Sequence, residues 1–255
     1  MENKYIVSLS GGKDSTAMLL RMIEEGMQVD EIIFCDTGVE FPETYKHLKN
    51  VEDYLGRKIT RLKSKYSFEF LMLGKEKKKG THIGETGYGF PSMFRRWCTV
   101  HLKQEVIEKY LEDKSNCIYY IGFAYDEQER ANRDTAVAKH PLIDWKMTEA
   151  DCLQYCYDRG FDWDGLYDKF HRLSCWCCPM NKIEELRTLY SDYPKLWNKL
   201  KEWQRRNFEI NPNRKFRKTY SVFELDRKFE LEAKLGKKCT KKMVREYFGV
   251  SDTEN

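Results

Sequence analysis

A short apolar run, Tyr5-Ile6-Val7, leads into Ser8-Leu9-Ser10-Gly11-Gly12-Lys13-Asp14-Ser15, and a helical pattern follows from Thr16 to Ile23. A strand, a glycine-rich turn and a helix in this order build an anion site. Glycines let backbone N–H groups come close to a phosphate. The helix N-terminus adds unpaired donors and a partial positive charge. Lys13 supplies a mobile full charge, and Ser10 and Ser15 supply hydroxyls. The G-x-x-x-x-G-K-[ST] spacing of a Walker A loop is absent. The plain alternative is an ordinary glycine turn entering a helix, and the number of specified residues in the correct context argues against it.

The rest of the chain repeats the same alternation. Strands are expected at residues 4–10, 29–35, 58–62 and 117–123, and helices at 14–25, 42–55, 99–111 and 147–159. Pro42 suits a first helical turn. Strands alternating with helices predict an α/β fold with a parallel twisted sheet and flanking helices. In such sheets, ligands bind beyond the carboxyl ends of the strands. Residues 75–96 read as a long loop with Lys75, Lys77, Lys78 and Lys79 followed by four glycines, the composition of a lid. From Tyr193 onward the pattern is helical, with a break at Asn211-Pro212-Asn213. The expected organisation is a sheet domain over 1–192 and a helical, basic extension over 193–255.

No apolar run approaches the roughly 18–20 residues that span a membrane, and the N-terminus lacks a signal-peptide layout. A cytoplasmic protein with no membrane partner is therefore expected. The net charge is +4, but it is uneven: residues 195–250 hold 17 Lys/Arg against 7 Asp/Glu. This points either to RNA or DNA as a partner of the C-terminal region or to solvated helix faces. Trp197, Trp203, Phe208 and Tyr220, interleaved with basic residues, are candidates for base stacking or for core.

The Ser8–Ser15 stretch resembles the PP-loop of the adenine nucleotide alpha-hydrolase superfamily, whose fold is Rossmann-like. Further segments resemble the phosphoadenosine phosphosulfate (PAPS) reductase family. These are Phe34-Cys35-Asp36-Thr37-Gly38 with Phe41-Pro42-Glu43-Thr44, the run Trp97-Cys98 to Lys103, and the strand end at Gly122. Pro141-Leu142-Ile143-Asp144-Trp145 with Thr148-Glu149-Ala150-Asp151, then Tyr167-Asp168-Lys169 and Cys175-Trp176-Cys177-Cys178-Pro179, follow in the family's order. Ala124 stands where an Arg is usual, and the family's C-terminal Glu-Cys-Gly-Leu-His is absent; Cys239 lies instead in Gly-Lys-Lys-Cys-Thr. The resemblance covers about residues 4–185 and implies that Asp36 and Thr37 lie beside an adenosine. Ser8, Ser10, Gly11, Gly12, Lys13, Asp14, Ser15 and Gly122 would then border the phosphates. Arg130 and Arg133, after the Gly122 strand end, could clamp a phosphate or sulfate or be surface arginines.

Nine cysteines in a reducing compartment point to metal ligands or reactive thiols before disulfides. Cys175 and Cys178 have a chelating C-x-x-C spacing, and the resemblance names Cys98 as their distant partner. A [4Fe–4S] cluster on Cys98, Cys175 and Cys178, with Cys177 as an optional fourth ligand, is one reading. A structural Zn²⁺ site and a redox or sulfur-carrying thiol pair are the others. Cys35, Cys117, Cys152 and Cys156 read as small buried apolar residues.

The resemblance implies a PP-loop enzyme that uses ATP or a PAPS-type nucleotide and Mg²⁺, with Lys13 and Asp14 as catalytic residues. Its reaction would be sulfur transfer from a sulfur donor to an acceptor activated by adenylylation (a sulfurtransferase). Sulfonucleotide reduction (an oxidoreductase), or a nucleotide- and nucleic-acid-binding role within a modification complex, are the alternatives.

Overall fold

The computed structural model describes residues 3–79, 82–112, 116–132 and 138–249. The chain divides into two compact units, residues 1–65 with 99–173, and residues 66–98 with 174–255. This line differs from a break at 192/193, because the 66–98 excursion and the cysteine turn group with the C-terminal helices.

The first unit is built on β1 (Lys4–Ser8), α1 (Lys13–Glu24), β2 (Glu31–Cys35), α2 (Pro42–Leu55) and β3 (Thr60–Leu62). The chain leaves for the second unit and returns through a helical run. That run is α3 (Trp97–Thr99), a π-helical turn Val100–Gln104, and α4 (Glu105–Glu112). Then come β4 (Cys117–Ile121), α5 (Gln128–Ala131), β5 (Ala138–Lys139), α6 (Pro141–Asp144), α7 (Glu149–Tyr157) and α8 (Leu166–Lys169). The five strands form one parallel sheet in the order β3-β2-β1-β4-β5. The order reverses at β1, so the crevice between the ends of β1 and β4 is the switch point at which such sheets bind ligands.

The strands are short apolar runs because both sheet faces are covered. Ile6 and Val7 are fully buried and point to opposite faces. Ile6 joins Ile33, Leu62 and Tyr119 in a cluster closed by Val106, Ile107, Tyr110 and Leu111 of α4. Helix α1 buries Met18, Leu19, Leu20 and Met22 and packs along α7. Burying side chains of this size stabilises by about 1.5–3 kcal/mol each. Pro42 opens α2, and Gly56 closes it in the left-handed conformation.

The second unit holds a π-helical turn Phe70–Gly74 and the helices α9 (Ile183–Asp192), α10 (Pro194–Ile210), α11 (Val222–Leu235) and α12 (Lys241–Phe248). Helix α10 ends at Asn211, where the sequence break was expected. Trp197 and Trp203 are each 2% exposed. Trp197 meets Tyr190 and Phe229, and Trp203 stacks on Phe68 and Trp176. These aromatics are core, so they are closed to base stacking. Phe208 pairs with Phe223, and Tyr220 lies under the Lys241 ammonium. Every acid between 195 and 250 has a basic partner, including Glu232 with Arg187 and Asp226 with Lys201. The seven acids are thus all paired, and the segment keeps its excess of cations.

Among the described residues, no helix is long and apolar enough to cross a membrane.

Candidate functional site

The loop between β1 and α1 closes on itself through hydroxyls. The Ser10 amide donates to Ser15 Oγ at 3.0 Å, and the Ser10 and Ser15 hydroxyls lie 2.9 Å apart. Ser15 Oγ donates in turn to the Gly12 carbonyl at 3.2 Å. Gly11 has φ +81°, the left-handed region, and a Cβ there would stand 2.9 Å from Thr44 Cγ2. No side chain caps α1, whose N-cap is Gly12. The amides of its first turn are thus left to a ligand, apart from that of Lys13, which donates to Tyr167 Oη at 2.7 Å.

Two long-range contacts fix the loop from outside. The Trp163 indole N–H donates to the Gly11 carbonyl at 2.8 Å. His47 stacks on Trp163 with 4.2 Å between ring centroids and shares a 2.9 Å hydrogen bond with Thr16. Burial pushes the His47 pKa down to about 3, so the ring is neutral. At the end of β4, Gly122 touches the first turn of α1 backbone to backbone. A Cβ on Gly122 would lie 2.8 Å from Ser15 Cα and 3.0 Å from Ser15 N.

The charges gather at Lys13. Its Nζ lies 2.6 Å from Glu149 Oε2 and 3.2 Å from the Asp14 carboxylate. Burial opposes the ammonium charge, but the Asp14 and Glu149 carboxylates outweigh it and hold the Lys13 pKa above the ordinary lysine value. The hydrogen bond from Lys13 keeps Glu149 below the usual carboxylate range, against a smaller effect of burial. For Asp14 burial prevails over Lys13 and lifts the pKa to about 6. Its Oδ1 is buried without a hydrogen bond, although Lys13 Nζ stands 3.2 Å away. That acceptor fits a Mg²⁺ ion arriving with a nucleotide.

Asp36 and Thr37 follow β2, the neighbour of β1. Asp36 accepts from Tyr45 Oη at 2.7 Å and from the Gly38 amide at 2.9 Å, and pairs with Lys63 at 2.9 Å. Burial raises its pKa, yet these donors together bring it below the ordinary aspartate value. Thr37 donates to Glu40 at 2.7 Å. Arg130 is exposed on α5, paired with Glu127 at 2.9 Å and lying over the Phe123 ring. Arg133 lies outside the described residues. Ser8 closes β1 opposite Ile33 and Ile121.

Trp163 and His47 went unread in the sequence, while Glu149 and Tyr167 stood within resembling segments without a role assigned to either. Glu149 is the first residue of α7, aimed by a capping box in which Thr148 and Asp151 bond each other's backbone. The Thr-Glu-Ala-Asp pattern signals the cap but not its partner 136 residues away. Nothing local in the sequence marks Trp163 or His47, whose use arises from packing around the Gly11 turn.

The cysteines Cys98, Cys175, Cys177 and Cys178 all belong to the second unit, and Cys177 is fully buried. The Cys178 amide donates to the Cys175 carbonyl at 3.1 Å, which tightens the C-x-x-C turn. A chain of rings joins their neighbours: Trp97 to Phe68 at 4.9 Å, Phe68 to Trp203 at 5.6 Å, and Trp203 to Trp176 at 5.1 Å. Among the described residues, no group of three or more His, Cys, Asp or Glu is arranged to hold a metal ion.

With this geometry established, the sequence pattern of the phosphoadenosine phosphosulfate reductase domain matches residues 4–182. The chain belongs to the PAPS reductase domain family. Within curated proteins, it is 30% identical over 213 residues to the uncharacterized protein MJ0066 of Methanocaldococcus jannaschii, covering 78% of this chain and 41% of that one. A second protein of that organism, MJ0973, is 29% identical over 204 residues, covering 75% and 45%. The chain therefore spans less than half the length of these relatives. An uncharacterized 37.8 kDa protein of Escherichia phage 186 is 24% identical over 251 residues, covering 78% and 74%. Of solved structures, the PAPS reductase of Candida auris in a phosphate complex superposes with a TM-score of 0.49 at 18% identity, covering 69% of this chain and 83% of that one. Members of the PAPS reductase family bind adenine nucleotides.

Proposed function

We propose that this PAPS reductase family member is a PP-loop enzyme that binds an adenine nucleotide at the β1–β4 switch point and works at its phosphates. It would either adenylylate an acceptor or handle a sulfonucleotide in sulfur transfer. The observation that carries the reading is the Lys13 ammonium, 5% exposed and poised between Asp14 and Glu149 at the mouth of a hydroxyl-lined glycine loop. In this reading Ser10, Gly12 and Ser15 orient the phosphates, and Lys13 turns from its carboxylates to offset the charge that builds at the reacting phosphorus. Mg²⁺ held through Asp14 would share that charge. Asp36 and Thr37 would border the nucleoside.

A direct sulfonucleotide reductase needs an accessible thiol, and Cys239 does not provide it. Cys239 is 4% exposed, and its amide donates to Glu232 at 2.9 Å inside the α11–α12 contact. This favours acceptor activation over PAPS reduction. The excess of cations over acids in residues 195–250 leaves a nucleic-acid acceptor open as the second reading.

Two measurements test the reading. Pyrophosphate or AMP release from ATP, or sulfite release from PAPS with a thiol reductant, should depend on Lys13. Neither product, from protein that is folded and loaded with Mg²⁺, would refute it. Iron and sulfide analysis of protein purified without oxygen decides the cofactor. About four of each per chain, lost in Cys98→Ala, Cys175→Ala and Cys178→Ala, assigns a [4Fe–4S] cluster. Protein free of iron and sulfide removes it.

A further inference from the structure

Residues 75–79 and 82–87, within the stretch 75–96 expected to be a long loop, pair as a short hairpin seated on the π-helical turn. Glu76 bridges Thr86, and the Lys77 amide donates to the Glu85 carbonyl at 3.0 Å. The base is fixed by the Tyr88 amide on the Leu71 carbonyl at 3.0 Å and the Gly89 amide on the Met72 carbonyl at 2.9 Å. Gly87, at φ +69°, is pressed so closely there that a Cβ would lie 2.4 Å from the Met72 carbonyl oxygen. The scaffold is therefore a built platform.

On it lies a pocket of about 410 Å³ lined by Lys75, Lys77, Lys78, Lys79 and Arg95, with Glu76 as its only acid and Tyr88 in its wall. Lys77 pairs with Glu85, and Lys75 is held over the Tyr66 ring and bonded to its hydroxyl at 3.1 Å. Lys78, Lys79, Arg95 and Arg96 have no acidic partner among the described residues. Beside Arg95, the turn from Ser92 to Arg95 presents Met93 at 72% exposure and Phe94 at 94%.

We propose that this hairpin pocket is a binding site for a single-stranded nucleic-acid segment. The lysines and Arg95 would hold the phosphates, and Phe94 would stack on a base. Cations alone would serve any polyanion. A ring almost wholly in water next to them costs solubility unless a planar apolar surface covers it, and backbone charge with stacking is how single strands are held. The proposal does not depend on the nucleotide reading.

The test is fluorescence anisotropy with labelled single-stranded RNA and DNA of about 20 nucleotides, the matching duplexes, and a polyglutamate competitor, without ATP. Single strands should bind with a log–log salt slope of about −2, for three phosphate contacts. Lys78→Ala with Lys79→Ala should flatten that slope by about 1.4, and Phe94→Ala should weaken binding about tenfold. All three substitutions are of exposed side chains, and unchanged thermal melting confirms the fold. Lys13→Met should bind as the parent does, so failure of the nucleotide reading leaves this result intact. No binding by the parent, a preference for duplex, equal displacement by polyglutamate, or loss only in Lys237→Ala with Lys238→Ala would overturn the proposal.

Discussion

Lys13 and Glu149, 136 residues apart in sequence, meet at 2.6 Å because α7 packs along α1 and begins beside its first turn. With Asp14, the trio carries one positive and two negative charges where phosphates are to bind. Glu149 thus competes with the ligand for Lys13. Glu149→Gln keeps the shape and removes one charge. The expected result is nucleotide binding tighter by up to about fivefold, since a partly exposed pair is worth up to about 1 kcal/mol. Calorimetric titration checks it; unchanged or weaker binding would show that Glu149 positions Lys13 without competing.

Gly122→Ala places a methyl 2.8 Å from Ser15 Cα. Backbone on both sides leaves nothing flexible to yield, so α1 must move away from β4. A stability loss of about 1–3 kcal/mol is expected, with nucleotide affinity falling at least tenfold. Thermal melting and titration read the two effects separately.

Asp14 pays for its position. Its pKa rises from 3.8 unfolded to about 6 in the fold, chiefly through burial. Between those pH values the native state binds more protons than the unfolded one, so the stability this group permits falls as pH rises from about 4 to 6. Asp14→Asn should therefore melt higher than the parent at pH 7.5, by an amount on the order of 1–3 kcal/mol, and match it below about pH 4. The same variant should lose turnover. Equal melting at both pH values would contradict the burial argument.

Trp163→Phe removes the indole donor from the Gly11 carbonyl while keeping a ring against His47. An unpaired buried carbonyl costs about 1–3 kcal/mol. Reduced stability with weakened nucleotide binding is expected, since the loop itself is released. A melting shift without any change in affinity would limit Trp163 to the core.

The loop, the alternating elements and the parallel sheet were legible because each leaves a local trace: glycines and hydroxyls at fixed offsets, apolar runs of strand length, Pro42 at a helix start. Glu149, Trp163 and His47 were not, because their role arises from packing between α1, α2 and the segment after α7. Residues 75–96 read as a loop because a hairpin of lysines and glycines lacks the alternation of a half-buried strand; its order comes from backbone bonds to the 70–74 turn. The tryptophans at 197 and 203 had two readings in sequence, and only their burial chose core. The C-x-x-C spacing of Cys175 and Cys178 was plain in the sequence, whereas the choice between iron, zinc and a bare thiol pair is chemistry that spacing alone leaves open.

The most direct test of the nucleotide reading is calorimetric titration of MgATP and of PAPS into the parent and into Lys13→Met. Saturable binding of one of them to the parent, at one per chain and weakened at least about tenfold in the variant, is the predicted result. Absence of saturable binding, or equal affinity in both proteins, would contradict it.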